Sequence, residues 1–466
     1  MRLFQVINLA KEYLILGLMG LIFIGIMYFL FFRRFFKNHV KSNINKVIVF
    51  CILFCYVVIV IGATIFIRPG VYEHANLHLF SSYIEAWNNY SKSYWRNIIL
   101  NILMFVPFGF LLPLFSDRFR NFFLSMSLSL LFTLGIEVTQ YITKRGIFEV
   151  DDLMNNWIGA LIGYSLIMFI LLIFSKQKPR FKALKLILCI LPSALTIIIG
   201  YKIMDAYNKQ EFGNLSSNYN YIYNMQNVTL NSYVELNDND IKKKKVYISE
   251  QYTKDEALKF AEKFFEKLNA KLDTSNIDIY DNQVVYNSID NRYRLAVHLR
   301  GGTYDFTDFK SDENIINQNM DEESIKEVLE NYNIDVSKDA EFEEEKENES
   351  SLYRFSIDLK EEDDKLTDGY LSIDQYDDTI HVNNYIYQYD VCGEYKIISQ
   401  EEAYEKIKSG EFNTYELYDI DSIVIRSVKL CYQVDSKGFY QPVYRFECTI
   451  DGEGRPIFIP ALEEIQ

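Results

Sequence analysis

The sequence predicts an all-α polytopic membrane bundle of about six transmembrane helices followed by a soluble α+β domain. Three observations point there: a series of apolar runs confined to the first 204 residues, a reversal of charge near residue 205, and a later change to alternating helix and strand patterns. A chain of 466 residues is too long for one typical core, so two domains are expected. Lys and Arg number 20 against 8 Asp and Glu up to Met204, a net of +12; beyond it they number 28 against 55, a net of −27. The overall charge of −15 therefore belongs to the second half. The expected organisation is a membrane domain over 1–204 with core motifs at 97–163, a linker over 205–250, and an α+β domain over 251–466.

The apolar runs lie at 13–32, 47–67, 97–115, 122–142, 153–174 and 182–201. Each approaches the roughly 20 residues needed to cross a bilayer. The first is followed by Arg33 and Arg34 and has no small-residue cleavage site, so it reads as a retained helix and not a signal peptide. Lys and Arg beside membrane segments resist translocation. The loops carrying Arg33, Arg34, Lys37, Lys41 and Lys46, then Arg118 and Arg120, then Lys176, Lys178, Arg180, Lys182 and Lys185, are thus expected in the cytoplasm. Loops 68–96 and 143–152 and everything after Tyr201 then face outward. The protein is expected in the cell membrane, multi-pass, with its C-terminal domain extracytoplasmic.

Polar residues interrupt three of the runs. In the third, Asn97, Asn101 and Phe105 are spaced by four and share a helix face, and Pro107 and Gly109 predict a kink and a close approach. In the fourth, Glu137 and Gln140 lie one turn apart with Thr133 a turn deeper, and Arg145 follows just outside. In the fifth, Asp152, Asn156, Gly159 and Gly163 form one stripe; Gly159 and Gly163 suit close helix packing, and either Asp151 or Asp152 is expected to serve as an N-cap. Ionisable groups in membrane helices are costly unless paired or functional. The expected site is therefore Asn97, Asn101, Glu137, Gln140, Arg145, Asp152 and Asn156, gathered at the outer ends of three helices and open to a ligand with an apolar tail and a polar head. The residues expected to shape it are Phe105, Pro107, Gly109, Gly159 and Gly163.

The segments NILMFVPFGFLLP, IEVTQ and RGIFEVDDLMNNWIGALIG closely resemble, in that order and spacing, the VanZ-like family of bacterial membrane proteins. The family pattern falls on Asn101, Phe105, Pro107, Gly109, Glu137, Gln140, Arg145, Asp152, Asn156, Gly159 and Gly163, with Asn155 and Trp157 as departures. The founding VanZ protein is associated with lowered susceptibility to the lipoglycopeptide teicoplanin, and the long outer domain is an addition to the family unit.

Beyond residue 250, helical patterns at 256–270, 322–334 and 401–410 alternate with strand patterns. The segment 399–461 is similar to PepSY-type and YycI-type extracytoplasmic domains of Gram-positive envelope proteins. The acidic run EFEEEKENE at 341–349 reads as a solvated loop. Whether Cys431 and Cys448 pair is left open by their spacing. An acidic domain excludes nucleic acid as a partner.

Three functions compete. The first is a non-enzymatic envelope protein that binds a lipophilic or lipid-linked ligand, with membrane lipids, a lipid-linked wall precursor or a lipoglycopeptide as partners. The second is a membrane enzyme on a wall precursor, with Glu137 or Asp152 as general acid or base and Arg145 on a phosphate. The third is a sensor or scaffold whose outer domain binds a protein. The first is preferred, because no helix shows a His, Cys or Ser arrangement typical of a nucleophile. No cofactor is expected, and no metal, since His74 and His78 with Glu73 or Glu85 read more readily as solvated loop residues.

Overall fold

A computed structural model describes residues 13–23, 44–66, 74–175, 179–236, 243–280, 282–311, 315–316, 319–347, 350–362, 364–414 and 420–463. The chain divides into two compact units: Met1–Ser232 with Lys406–Ile425 and Cys448–Ile457, and Tyr233–Glu405 with Arg426–Glu447 and Phe458–Gln466.

The first unit holds the membrane helices. A short apolar helix, α1, spans Tyr13–Phe23; the rest of the first expected span, and its flanking Arg33 and Arg34, lie outside the described residues. Among the described residues, five further helices are long and apolar enough to cross a membrane. They are α2 (Ile44–Ile61, continued by a π-helical turn at Gly62–Phe66), α4 (Lys92–Phe115), α5 (Phe122–Ile142), α6 (Val150–Ile173) and α7 (Pro179–Lys209), with a nine-residue helix α3 (Ser81–Asn89) between α2 and α4. Apolar side chains left exposed along α2, α5 and α7, such as Phe123 and Ile197, are the lipid-facing surface of such a bundle.

Inside, Phe105, Phe108 and Leu112 of α4 pack with Met126 and Ile136 of α5 and Ala160 and Tyr164 of α6. Helix α4 runs unbroken through Pro107 and Pro113. Pro107 has no N–H to offer the turn before it, and the Tyr56 hydroxyl donates to the Met104 carbonyl of that turn at 2.6 Å.

Contacts sort the connections into two ends. At one end, the two-residue strand β1 (Ala75–Asn76) pairs in parallel with β2 (Phe148–Glu149), joining the loops that follow α2 and α5. The same end takes the chain beyond α7: Asn214 Nδ2 donates to the Trp87 carbonyl at 2.7 Å, Asn88 Nδ2 donates to the Asn218 and Tyr219 carbonyls at 3.2 Å each, and His78 stacks on Tyr221 at 3.8 Å. At the other end, Lys46 in the first turn of α2 pairs with Asp117 after α4 at 3.7 Å. The loops after α2 and α5 and the segment after α7 thus share one membrane face.

The same unit includes a stitch to the C-terminal part of the chain. Tyr223 N donates to the Gly410 carbonyl at 3.0 Å, Asn413 Nδ2 donates to the Ser216 carbonyl at 3.2 Å, and Tyr223 stacks on Phe412. Gly410 has φ +82°, and a methyl group there would lie 2.2 Å from the Tyr223 carbonyl oxygen, so only glycine fits. Strand β3 (Thr229–Ser232) pairs in parallel with Ser422–Ile425.

The second unit is built on strands β4 (Lys243–Ser249), β5 (Asp278–Ile279), β6 (Gln283–Asn287), β7 (Tyr293–His298), β8 (Tyr304–Asp308), β9 (Glu341–Glu347), β10 (Ser350–Glu362), β11 (Lys365–Tyr376), β12 (Thr379–Asn384) and β13 (Tyr387–Lys396). Neighbouring strands run β4-β13-β11-β12-β8-β7-β6-β5, with β10 on β11 and β9 on β10. Helices α8 (Lys254–Lys267) and α9 (Glu322–Asn331) lay Ala257, Ala261, Phe265, Ile325 and Leu329 onto this sheet. A capping box between Thr253 and Glu256 starts α8. A third helix, α10 (Gln400–Lys408), precedes strands β14 (Ser422–Val434) and β15 (Phe439–Ile450), so each helix is followed by strands.

Two readings change. The acidic run is not a loop: β9 pairs along β10, with Phe342 against Tyr353 and Phe355 while Glu341, Glu343 and Glu345 stay exposed. Alternation decides it, and a charged outer face suits an edge strand that must not recruit another chain. The stretch 205–250 is structured at both ends, by α7 as far as Lys209 and by β4, where Lys245 pairs with Glu361 at 2.6 Å and Asp364 at 3.0 Å. Cys431 and Cys448 are not joined in a disulfide, and Cys392 is an exposed thiol.

In this unit His298 Nε2 lies 3.2 Å from Asp305. Burial raises the Asp305 carboxyl, but hydrogen bonds from His298 and Tyr385, with the nearby charges of His298 and Arg294, outweigh it and hold the carboxyl below the usual range. A group depressed on folding stabilises above its unfolded value, about pH 4, and loses that contribution as pH falls through the folded value. Asp305→Asn should therefore flatten the acid side of the unfolding curve below about pH 4. An unchanged acid limb in a pH series of thermal melts would count against it.

Candidate functional site

The site begins with how α4 and α6 meet. Methyl groups built on Gly109, Gly159 and Gly163 would each lie 1.9 Å from a carbonyl oxygen of the facing helix, those of Ala160, Ile102 and Val106 respectively. The two backbones are therefore in contact, as small residues at i and i+4 permit in membrane helices. This contact sets Asn101 beside Asp152, whose carboxylate accepts from Asn101 Nδ2.

Helix α5 supplies the next layer. Asn156 Nδ2 donates to Thr133 Oγ1 at 2.8 Å, which brings the α6 amide to the face carrying Thr133, Glu137 and Gln140. Glu137 Oε2 accepts from the Glu149 backbone at 3.3 Å, just ahead of α6. Gln140 Nε2 donates at 2.8 Å to the Thr64 carbonyl in the π-helical turn that ends α2. Glu137, Gln140 and Asn156 are only 2%, 1% and 2% exposed. Three buried polar atoms of this layer go unmet: Gln140 Oε1, Asn156 Oδ1 and Asn155 Nδ2 have no hydrogen-bond partner among the described residues. Native interiors hold few such groups, because each costs about 1–3 kcal/mol.

The expected cluster is thereby divided by depth. Glu137, Gln140 and Asn156 form a buried inner set, and the half-buried Asn101–Asp152 pair adjoins it. Asn97 is exposed a turn beyond Asn101. Arg145 is exposed in the turn after α5, its backbone N–H closing on the Gln140 carbonyl at 3.0 Å. Phe105 is fully buried between the helices and Pro107 is exposed.

The expected N-cap is corrected. Glu149 holds the N-cap position of α6 without a side-chain cap, and Asp151 serves a different helix. Its buried carboxylate accepts from Phe80 N at 2.6 Å, Ser82 N at 2.8 Å and Ser82 Oγ at 2.7 Å, closing the first turn of α3. Placed near the N-termini of both α3 and α6, it meets two favourable helix dipoles. Adjacent residues on a helix point about 100° apart, so Asp151 and Asp152 necessarily reach different partners. Asn155 accepts from the Tyr83 hydroxyl of α3. Burial first, then the Asp151 and Asp152 carboxylates, push that hydroxyl up to about 12, so it stays protonated as the donor. Asn155 was visible in the sequence as a polar residue in an apolar helix. Tyr83 and Thr64 carried no signal, since one lies in a loop helix and the other acts through its backbone.

The pair His74 and His78 does not share a helical face, because Ala75–Asn76 between them is a strand. No group of three or more His, Cys, Asp or Glu among the described residues is arranged to hold a metal.

Known proteins show similarities to both halves of the chain. The family described as VanZ/LLP1 matches residues 19–174, a span that contains all of the membrane-site residues. The C-terminal domain of Bacillus megaterium YpeB is similar over 46% of this chain and 99% of that one, at 13% identity and a TM-score of 0.20. No curated protein matches the chain.

Proposed function

We propose that this VanZ-like membrane protein binds a lipophilic or lipid-linked ligand in the outer leaflet, through Asn101, Glu137, Gln140, Asp152 and Asn156, and thereby lowers susceptibility to teicoplanin-like lipoglycopeptides. The observation that carries this reading is the unmet hydrogen-bonding capacity of Gln140 and Asn156 beside Glu137 in an otherwise apolar bundle. Polar groups so placed cost stability and earn retention through function more often than through packing. The face that holds the site would be the outer one by the loop charges, which puts Arg145 and Asn97 at the headgroup level.

In cells producing the protein, Glu137→Ala and Asp152→Ala should raise sensitivity to teicoplanin by several-fold and leave vancomycin sensitivity little changed. Equal shifts for both drugs, or none with the variants present at normal levels, would sink the proposal. A second reading, a sensor, is favoured by the stitch from 406–413 through 216–223 to α3, which is itself bolted to Asp151 and Asn155.

A further inference from the structure

We infer that Leu77–Ile84, the turn ahead of α3 together with its first residues, is a lipid-binding surface seated in the headgroup boundary of the bilayer that the chain spans. The inference goes beyond the proposed function and does not depend on it.

The segment is built inside out. From Ala75 to Ile84 the chain carries no Asp, Glu, Lys or Arg. Its amide and hydroxyl groups turn inward: Asn76 and Ser81 are buried, and Asn76 Nδ2 donates to Ser81 Oγ at 2.8 Å. Further along α3, Asn88 is buried on the Asn218 and Tyr219 carbonyls. The large apolar side chains turn outward instead. Leu77, Leu79 and Phe80 are 66%, 53% and 50% exposed, and Ile84 is exposed beside them. His78 is the polar exception, and its ring lies flat on Tyr221. A single exposed leucine is ordinary, but four exposed apolar side chains over buried amides reverse the order that water imposes.

The backbone points the same way. Phe80 has φ +70°, in the left-handed region where glycine or asparagine is at ease and a bulky side chain is strained. Asp151 takes the Phe80 N–H and holds the strained turn, which leaves the phenyl ring half out of the chain. In water that arrangement costs conformational energy and exposes apolar surface as well; in a lipid boundary the ring's burial offsets the strain.

Depth identifies the occupant. Strand β1 ties the segment to Phe148–Glu149, Asp151 in the first turn of α6 holds Phe80, and the Tyr83 hydroxyl reaches Asn155 one turn further. Helix α6 has 24 residues. At about 1.5 Å per residue it is about 36 Å long, roughly 6 Å more than a hydrocarbon core of about 30 Å, so its first turn falls at the boundary. The last turn of α5 reaches the same end with Tyr141 and Ile142 exposed, so the lipid-facing surface of the bundle continues to this level. Interfacial elements bury their apolar side chains at this depth. A partner protein is the poorer occupant, because protein interfaces are rimmed by polar residues and this segment spends its own inside. Seated this way, α3 lies between the leaflet and Asp151, and ties the first turn of α6 to the lipid surface.

The test is fluorescence quenching on the full chain in nanodiscs holding one chain each, so that no second copy can cover the segment. An environment-sensitive fluorophore is attached at Leu79→Cys, with Cys392→Ser removing the exposed native thiol; signal from Cys392→Ser alone is subtracted. Phosphatidylcholine carrying a doxyl group near the top of its acyl chain reports contact with lipid, and iodide reports contact with water. Doxyl lipid should quench the Leu79 label several-fold more than iodide does, whereas a label on native Cys392 should show the reverse. Leu77→Cys takes the place of Leu79→Cys if that variant fails to fold. Iodide quenching equal to or above doxyl quenching, or weak quenching by both agents, overturns the inference.

Discussion

Gly163→Ala should leave little folded protein. The added methyl would sit 1.9 Å from the Val106 carbonyl oxygen and 2.9 Å from Phe110 N, both backbone atoms of α4 that no side-chain movement can clear. The helices must separate instead. That separation loosens the packing of Phe105 and Phe108 around Ala160 and draws Asn101 away from Asp152. Overpacking in cores typically costs about 1–3 kcal/mol, and a clash with rigid backbone belongs at or beyond the upper end of that range. Gly159→Ala, which meets the Ile102 carbonyl, should behave alike. Gly135 on α5 is the control: a methyl group there meets nothing within 4 Å, and Gly135→Ala should be neutral or slightly stabilising. Monodispersity and thermal melts of the three variants in detergent read this directly. A Gly163→Ala protein that melts like Gly135→Ala would show that α4 and α6 do not touch.

The second large effect is expected at Asp151. Its carboxylate is 1% exposed and takes three hydrogen bonds from the start of α3. Asp151→Ala strands two backbone N–H groups and a hydroxyl, at a cost of about 3–5 kcal/mol. Asp151→Asn keeps one acceptor and should lose roughly half as much. Because α3 is held by this contact and by Tyr83, the Ala variant should also become cleavable by protease within 79–90 while the membrane helices stay intact. Melting within a degree of wild type, with no new cleavage, would mean that α3 is held by other means.

Much of the membrane half was legible because bilayers impose simple rules. Length and apolarity marked the spans, and helical spacing alone placed Asp152, Asn156, Gly159 and Gly163 in one stripe. What the spacing could not reveal was which partner each polar group meets. Asp151 and Asp152 are chemically identical neighbours, and only the placement of α3 makes one a cap for that helix and the other a partner of Asn101. The Thr64 carbonyl is available to Gln140 because α2 ends in a π-helical turn, a backbone event without a side-chain signature. In the C-terminal half, composition hid structure. Glu341–Glu347 and Lys243–Lys245 look like solvated charge runs, yet both are strands, since alternation needs only one buried face and charges occupy the other. Strand β13, with glycine, aspartate and glutamate along it, was concealed in the same way.

A ligand site in the outer leaflet requires that the face carrying α3, β1 and β2 be the external one. The segment after α7 shares that face, and the candidate spans end at Lys209 among the described residues. The native chain supplies its own probe, because Cys392 is an exposed free thiol while Cys51, Cys55 and Cys189 lie within the spans. A membrane-impermeant maleimide applied to intact cells should label the wild-type protein, and Cys392→Ser should remove most of the label. Labelling of Cys392 only after the membrane is permeabilised would place this face in the cytoplasm and contradict an outer-leaflet site.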